Sequence, residues 1–149
     1  MKVYVAASIK DRARAEQVAD AIEDAGHLIT FKWWGDEGEI RDADEGKTWR
    51  DDPEQAQALA QREQKGVWDA DALVLCGHEK LMGALIEFGM AVSDEKPAII
   101  LPGCQRDSIF WHLPGVVQVE TIEEVISELD ELHFVELAFT VPTDAEDDD

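Results

Sequence analysis

A single acidic side chain interrupts an apolar segment near the middle of the chain. Residues 83–89 read GALIEFG, so that Glu87 stands between Ile86 and Phe88. Burying a carboxylate lowers stability unless the group is paired or hydrogen-bonded. Glu87 is therefore either a functional residue, able to attack or stabilise a positively charged centre, or an exposed glutamate at a helix edge. Gly89 and Ala91 are expected to let this helix pack closely on the sheet.

A second candidate site follows the first apolar run. Ser8, Ile9 and Lys10 combine a hydroxyl, the N–H groups of a predicted helix N-terminus and an ammonium group. Such a turn suits a phosphate or a carboxylate. Alternatively, Ser8 only caps its helix, since Ser8 and Asp11 have capping-box spacing.

Three tryptophans, Trp33, Trp34 and Trp49, occupy a long polar segment over residues 32–51. Indole faces can stack on a nucleobase. The same side chains can instead anchor the segment to the core or form a subunit interface. His78 follows the apolar run at residues 72–76. It is either a substrate contact or a solvated loop histidine.

Apolar runs that alternate with helical patterns predict the elements that position these residues. The predicted strands cover residues 3–7, 27–31, 72–76, 98–101 and 116–119. The predicted helices cover residues 8–25, 52–68, 83–94 and 121–133. In the third helix, Leu85, Phe88 and Val92 are expected to face inward. Residues 134–143 are ambiguous, with an edge strand as one option.

This alternation predicts an α/β fold, a single doubly wound (flavodoxin- or Rossmann-like) sandwich with a five-stranded parallel sheet in the order 2-1-3-4-5. We expect one domain over residues 1–133 and a C-terminal extension over 134–149 with a disordered acidic tail. Ligands of such sheets bind beyond the strand carboxyl ends where the order reverses, here between strands one and three. The turn at Ser8 and the segment 76–87 should meet there.

Several of these residues together resemble a known family. Tyr4 in strand one, Asp71 in the Ala-Asp-Ala that starts strand three, the Gly-x-x-x-Glu-x-Gly around Glu87 and residues 96–100 (KPAII) are similar to the nucleoside 2-deoxyribosyltransferase-like superfamily. That superfamily includes the 2′-deoxynucleoside 5′-phosphate N-hydrolases. The similarity covers residues 2–130. It implies that Glu87 is a nucleophile towards C1′ of the sugar and that Tyr4 orients it.

The resemblance also implies that Glu63, eight residues before Asp71, acts at the nucleobase; the alternative is a solvated charge on a helix face. The implied reaction is cleavage of the N-glycosidic bond of a (deoxy)nucleoside or its 5′-monophosphate, by hydrolysis or transfer to another base. Leu81 fits neither branch, because transferases carry aspartate and hydrolases serine at that position. The predicted substrate-binding residues are Ser8, Ile9, Lys10, Gly83, Trp33, Trp34 and His78.

Two other functions remain open at this level. In a non-catalytic nucleotide-binding sensor, Glu87 would only hydrogen-bond ribose hydroxyls. In an NAD-type glycohydrolase, the same glutamate would act beneath a different ribose.

The chain of 149 residues carries 34 acidic and 13 basic side chains, a net charge of −21. This charge argues against nucleic acid and anionic membranes as partners, and it reflects either a salty cytoplasm or solubility alone. Two cysteines suggest neither a disulfide framework nor a zinc cluster. We expect a cytoplasmic enzyme without signal peptide, metal or cofactor, homo-oligomeric by resemblance. Lys10 and Arg12 are the cations near strand one where a phosphate would be tolerated.

Overall fold

A computed structural model of the chain describes residues 1–35, 51–77, 81–104 and 108–139. The described strands are β1 (Lys2–Ala6), β2 (Leu28–Ile29), β3 (Ala72–Leu75), β4 (Ala98–Ile100) and β5 (Val116–Gln118). The described helices are α1 (Arg12–Asp24), α2 (Pro53–Asp69), α3 (Met82–Ser93) and α4 (Ile122–Phe139). Short 3₁₀ turns cover Ile9–Asp11 and Ile109–His112.

The five strands form one parallel sheet in the order β2-β1-β3-β4-β5, which confirms the predicted doubly wound α/β fold. Helix α1 packs with α4, and α2 packs with α3, so that the sheet lies between two helical layers. Alternate residues of a strand point to opposite faces. Tyr4 on β1 therefore points to the α2–α3 layer, whereas Val3 and Val5 point to the other layer.

The helix caps lie where the sequence pattern predicts them, with Ser8 capping the 3₁₀ turn that leads into α1. The Oγ of Ser8 accepts a hydrogen bond from the Lys10 N–H at 3.3 Å, and Gly26, with φ of +92°, follows the end of α1. Asp52 caps α2 by accepting hydrogen bonds from two backbone N–H groups, and Pro53 occupies the first helical position. Thr121 caps α4 by accepting from the Glu124 N–H at 3.2 Å.

The buried face of α3 differs in part from the prediction. The structure buries Ala84, Glu87, Phe88 and Ala91. Leu85 and Val92, which were expected to face inward, are only partly buried. Both pack against the hydrophobic core, so the inward-facing prediction is confirmed for Phe88 and holds in part for Leu85 and Val92.

Helix α4 extends beyond its predicted end at residue 133 and reaches Phe139. The edge-strand interpretation is therefore wrong for residues 134–139, where an established helix continues at little cost per added residue. The predicted disordered acidic tail lies outside the described residues. Within the described ranges, no helix has both the length and the apolar character needed to cross a membrane.

Candidate active site

Tyr4 and Glu87 form a buried hydrogen bond at the centre of the α2–α3 layer. The Tyr4 hydroxyl donates to Oε1 of Glu87 at 2.8 Å. Tyr4 is fully buried and Glu87 is 8% exposed. The parallel register of β1 with β3 and the packing of α3 on both strands bring these two side chains together although 83 positions separate them.

Glu63 on α2 joins the same cluster. Its carboxyl group hydrogen-bonds to that of Glu87. Two carboxyl groups can bond directly only if one of them carries a proton, because an ionised carboxylate only accepts. The structure thus assembles the three residues that sequence analysis named as catalytic into a tyrosine–carboxyl–carboxyl cluster.

The surroundings change how this cluster binds protons. Burial raises the pKa of Glu87 to about 9; the charge of Glu63 acts in the same direction, whereas the hydrogen bond from Tyr4 opposes it. Burial also raises the pKa of Glu63 above its ordinary value. The pKa of Tyr4 is raised, first by burial and then by the negative charge of Glu87 and Glu63. At neutral pH, Tyr4 is therefore a hydrogen-bond donor and the carboxyl pair retains a proton.

Gly66 on α2 makes room for the Tyr4 ring. A Cβ at this position would lie 2.9 Å from Cε2 of Tyr4 and 2.9 Å from Cβ of Phe31. The Thr30 hydroxyl donates to the Gly66 carbonyl at 2.7 Å, which fixes this part of α2 against the end of β2. Sequence analysis missed Gly66, although a glycine inside a helical pattern costs about 1 kcal/mol relative to alanine and so signals a packing requirement.

Gly83 lies one turn before Glu87 on the same face of α3. A Cβ at Gly83 would meet nothing within 4 Å, so the space around this exposed position is open. A Cβ at Gly89 would also meet nothing within 4 Å, so the predicted role of Gly89 in close packing is wrong. Ala91, in contrast, is buried.

The turn after β1 lies at the carboxyl edge of the sheet, as its sequence predicts. Ser8 is occupied as a cap, and the side chains of Ile9 and Lys10 are exposed. Gly77, which follows β3, has φ of +125°, and a Cβ there would lie 2.8 Å from Oδ2 of Asp11. A carboxylate therefore stands in the crevice between the ends of β1 and β3, beside the predicted phosphate-binding turn. Arg12 is exposed at the first residue of α1.

The tryptophans have structural positions where they are described. Trp33 is 4% exposed, and its indole N–H donates to the Val5 carbonyl at 2.8 Å. Trp34 is partly buried and meets Trp33 edge to face, with ring centroids 5.4 Å apart. This is the arrangement expected of residues that anchor the segment to the core. Trp49 and His78 lie outside the described residues.

Metal ligands and cysteines elsewhere in the described ranges offer no second centre. No group of three or more histidine, cysteine, aspartate or glutamate side chains there is arranged to hold a metal ion. Burial raises the pKa of the Cys76 thiol to about 12 and that of Cys104 to about 11, so both are protonated at neutral pH. A thiol in that state is a poor nucleophile.

Comparison with known proteins adds nothing to this assignment. No family model matches the chain, and a search of curated proteins finds no match either.

Proposed function

We propose that the protein cleaves the N-glycosidic bond of a (deoxy)nucleoside or its 5′-monophosphate, with Glu87 as nucleophile at C1′. The observation that carries this proposal is the buried cluster in which Glu87 is bonded to both Tyr4 and Glu63. Glycosidic bonds break through a cation-like state that a carboxylate beneath C1′ stabilises while a second carboxyl group serves the leaving group. The resemblance of residues 2–130 to the deoxyribosyltransferase-like superfamily supports the same assignment.

The shared proton prepares both carboxyl groups for the first step. A substrate that reaches the cluster replaces the bond between Glu63 and Glu87, and the proton passes from Glu87 to Glu63, which leaves Glu87 ionised. An oxygen of Glu87 then forms a bond to C1′ as the bond from C1′ to the base nitrogen breaks. The electron pair of that bond goes to the base, which takes the proton from Glu63.

The second step restores the site. In hydrolysis, a water oxygen attacks C1′, its proton goes to Glu63, and the electron pair of the ester bond returns to Glu87. In transfer, the nitrogen of a second nucleobase attacks in place of water and gives its proton to Glu63. Tyr4 donates a hydrogen bond to Glu87 in both steps. This bond stabilises the ionised form of Glu87, which burial disfavours.

A non-catalytic nucleotide-binding sensor is the second candidate, and the raised pKa of Glu87 favours it. A glutamate that is protonated at neutral pH can donate a hydrogen bond to a ribose oxygen without reacting. The two functions differ in whether free base is produced.

Product analysis separates these functions. We would incubate the protein with deoxynucleosides, their 5′-monophosphates, ribonucleosides and NAD, with and without added free base, and separate products by chromatography. The proposal expects free base from a nucleoside or nucleotide, and a new nucleoside when added base is accepted. Binding without base release from any compound identifies the sensor, and nicotinamide release from NAD alone identifies the glycohydrolase.

We further propose a homo-oligomer whose contact lies near this site. On α3, Met82 and Ile86 are exposed one turn apart. The adjoining 3₁₀ turn, whose Trp111 packs edge to face on Phe88, exposes Ile109. Apolar side chains exposed together on a highly charged protein favour burial against a second copy.

A further inference from the structure

The turn after β1 uses its own backbone donors. The Lys10 N–H donates to Oγ of Ser8 at 3.3 Å, and the Asp11 N–H donates to the Ser8 carbonyl at 2.8 Å. The Arg12 N–H donates to the Ile9 carbonyl. A helix N-terminus binds an anion through N–H groups that the helix leaves without partners. Because these three consecutive N–H groups are satisfied within the turn, a phosphate would have to replace existing hydrogen bonds.

Asp11 places a negative charge in the crevice beyond β1 and β3. A Cβ on Gly77 would lie 2.8 Å from Oδ2 of Asp11 and 3.1 Å from Cδ2 of Leu81, so these two side chains approach the same point. Burial is the main cause of the raised pKa of the Cys76 and Cys104 thiols, and the charge of Asp11 adds to it in both. Since Cys76 follows β3 and Cys104 lies beyond β4, the field of Asp11 acts across the carboxyl edge of the sheet.

The cations beside Asp11 are in different surroundings. The side chains of Lys10 and Arg12 are exposed, so that water and salt screen their charges. Asp11 lies between them in the chain but is half-buried, and its charge is screened less. The electrostatic effect on a group bound in the crevice is therefore set mainly by the carboxylate.

The crevice receives one end of the substrate in the proposed reaction, and this step rests on the proposed function. Glu87 lies fewer than two helical turns beyond Leu81, and Glu63 lies on α2. With C1′ at Glu87 and the base at Glu63, the opposite side of the sugar ring, which carries C5′, extends towards the strand ends, where ligands of such sheets bind. The 5′ substituent then lies beside Asp11.

We propose that the protein acts on uncharged nucleosides and that Asp11 selects against their 5′-monophosphates. A 5′-hydroxyl group can donate a hydrogen bond to the Asp11 carboxylate, and hydrogen bonds to a charged group are strong. A 5′-phosphate carries negative charge at neutral pH, so it meets a like charge in the crevice. Whether or not a cation balances Asp11, the selection has the same direction, because a cation held by Asp11 is not available to a phosphate.

The test compares kcat/KM for base release from a deoxynucleoside and from its 5′-monophosphate at neutral pH. The wild type should favour the nucleoside by about tenfold or more at low salt, and the preference should shrink as salt rises to about 1 M. Asp11→Asn removes the charge at nearly constant shape and should reduce the preference about tenfold, mainly by raising kcat/KM for the monophosphate. Asp20→Asn, the control, makes the same change in net charge at an exposed position on α1 and should leave the preference unchanged.

The outcomes separate this inference from the proposed reaction. If neither compound releases base, the proposed reaction fails, and the dissociation constants of the same two compounds then make the same comparison; if neither binds, both proposals fail. An unchanged preference in Asp11→Asn, shown to be folded by urea unfolding, overturns the role of Asp11. Equal effects of Asp11→Asn and Asp20→Asn mean that only net charge matters. A wild type that favours the monophosphate, with the preference lost in Lys10→Gln, identifies the turn as a phosphate site and overturns the proposal.

Discussion

Glu87 combines two properties that conflict in an ordinary protein interior, because it is ionisable and yet almost fully buried. The Tyr4 hydroxyl and the Glu63 carboxyl group resolve the conflict by satisfying its oxygens. The position of one acid among apolar residues made Glu87 a candidate functional residue, with an exposed glutamate at a helix edge as the alternative. Its partners were not visible in any local pattern: they came from the family resemblance, since 83 positions separate Tyr4 from Glu87.

Tyr4→Phe tests how the hydroxyl acts. The ring still fills the space against Gly66, but Glu87 loses the hydrogen bond that lowers its pKa. Both limbs of the pH profile of kcat/KM should move to higher pH, because the carboxyl pair is active when it holds one proton. On the acidic side, the rate should fall about 10- to 100-fold, the usual worth of a hydrogen bond to a charged group. A uniform loss at every pH, with the limbs unmoved, would show that Tyr4 does not act on ionisation.

At the scale of elements, the sequence predicted helix caps better than it predicted the end of α4 or the full buried face of α3. The caps at Ser8, Asp52 and Thr121 depend on backbone groups within three residues, so local sequence is sufficient to identify them. The buried face of α3 depends on Tyr4 in a distant strand. Apolar periodicity therefore identified Phe88 on the buried face, with Leu85 and Val92 packed against the core, but left the position of Glu87 open.

Two glycines in helix interiors provide a matched pair of substitutions. Gly66→Ala places a methyl group 2.9 Å from the Tyr4 ring and from Cβ of Phe31, and should destabilise the fold by about 1–3 kcal/mol. Gly89→Ala meets no atom within 4 Å and should stabilise it by about 0.5–1 kcal/mol. Urea unfolding measures both, and Gly66→Ala should also slow base release because it displaces Tyr4. Similar effects of the two substitutions would contradict the packing described for α2.

At the scale of the whole molecule, the order of the strands could be predicted from the sequence. The negative charge of Asp11 beside the predicted phosphate-binding turn could not. Alternating strands and helices with right-handed crossovers leave few topologies, so 2-1-3-4-5 followed from element types alone. Because the net charge is −21, the cations near strand one, Lys10 and Arg12, were predicted to be the places where a phosphate would be tolerated. Only the three-dimensional arrangement shows that Asp11 stands against Gly77 in the same crevice.

The buried carboxyl pair also makes stability depend on pH. Glu87 has a pKa of about 9 in the folded chain against 4.5 as an ordinary glutamate. Its raised pKa therefore contributes stability that is fully present below about pH 4.5 and is lost as pH rises towards 9. The free energy of unfolding of the wild type, relative to Glu87→Gln, should fall over this window by at most about 1.4 kcal/mol per pH unit. Urea titrations at successive pH values measure it; a constant difference would mean that Glu87 is ionised in the folded state.

The most direct test of the central claim compares base release by the wild type and by Glu87→Gln. Glutamine keeps an oxygen for the Tyr4 hydroxyl and an N–H for Glu63, so the fold and the cluster should persist. The account predicts base release by the wild type and a loss of about a thousandfold or more in the variant, since covalent attack on C1′ is removed. Undiminished base release by folded Glu87→Gln would contradict it.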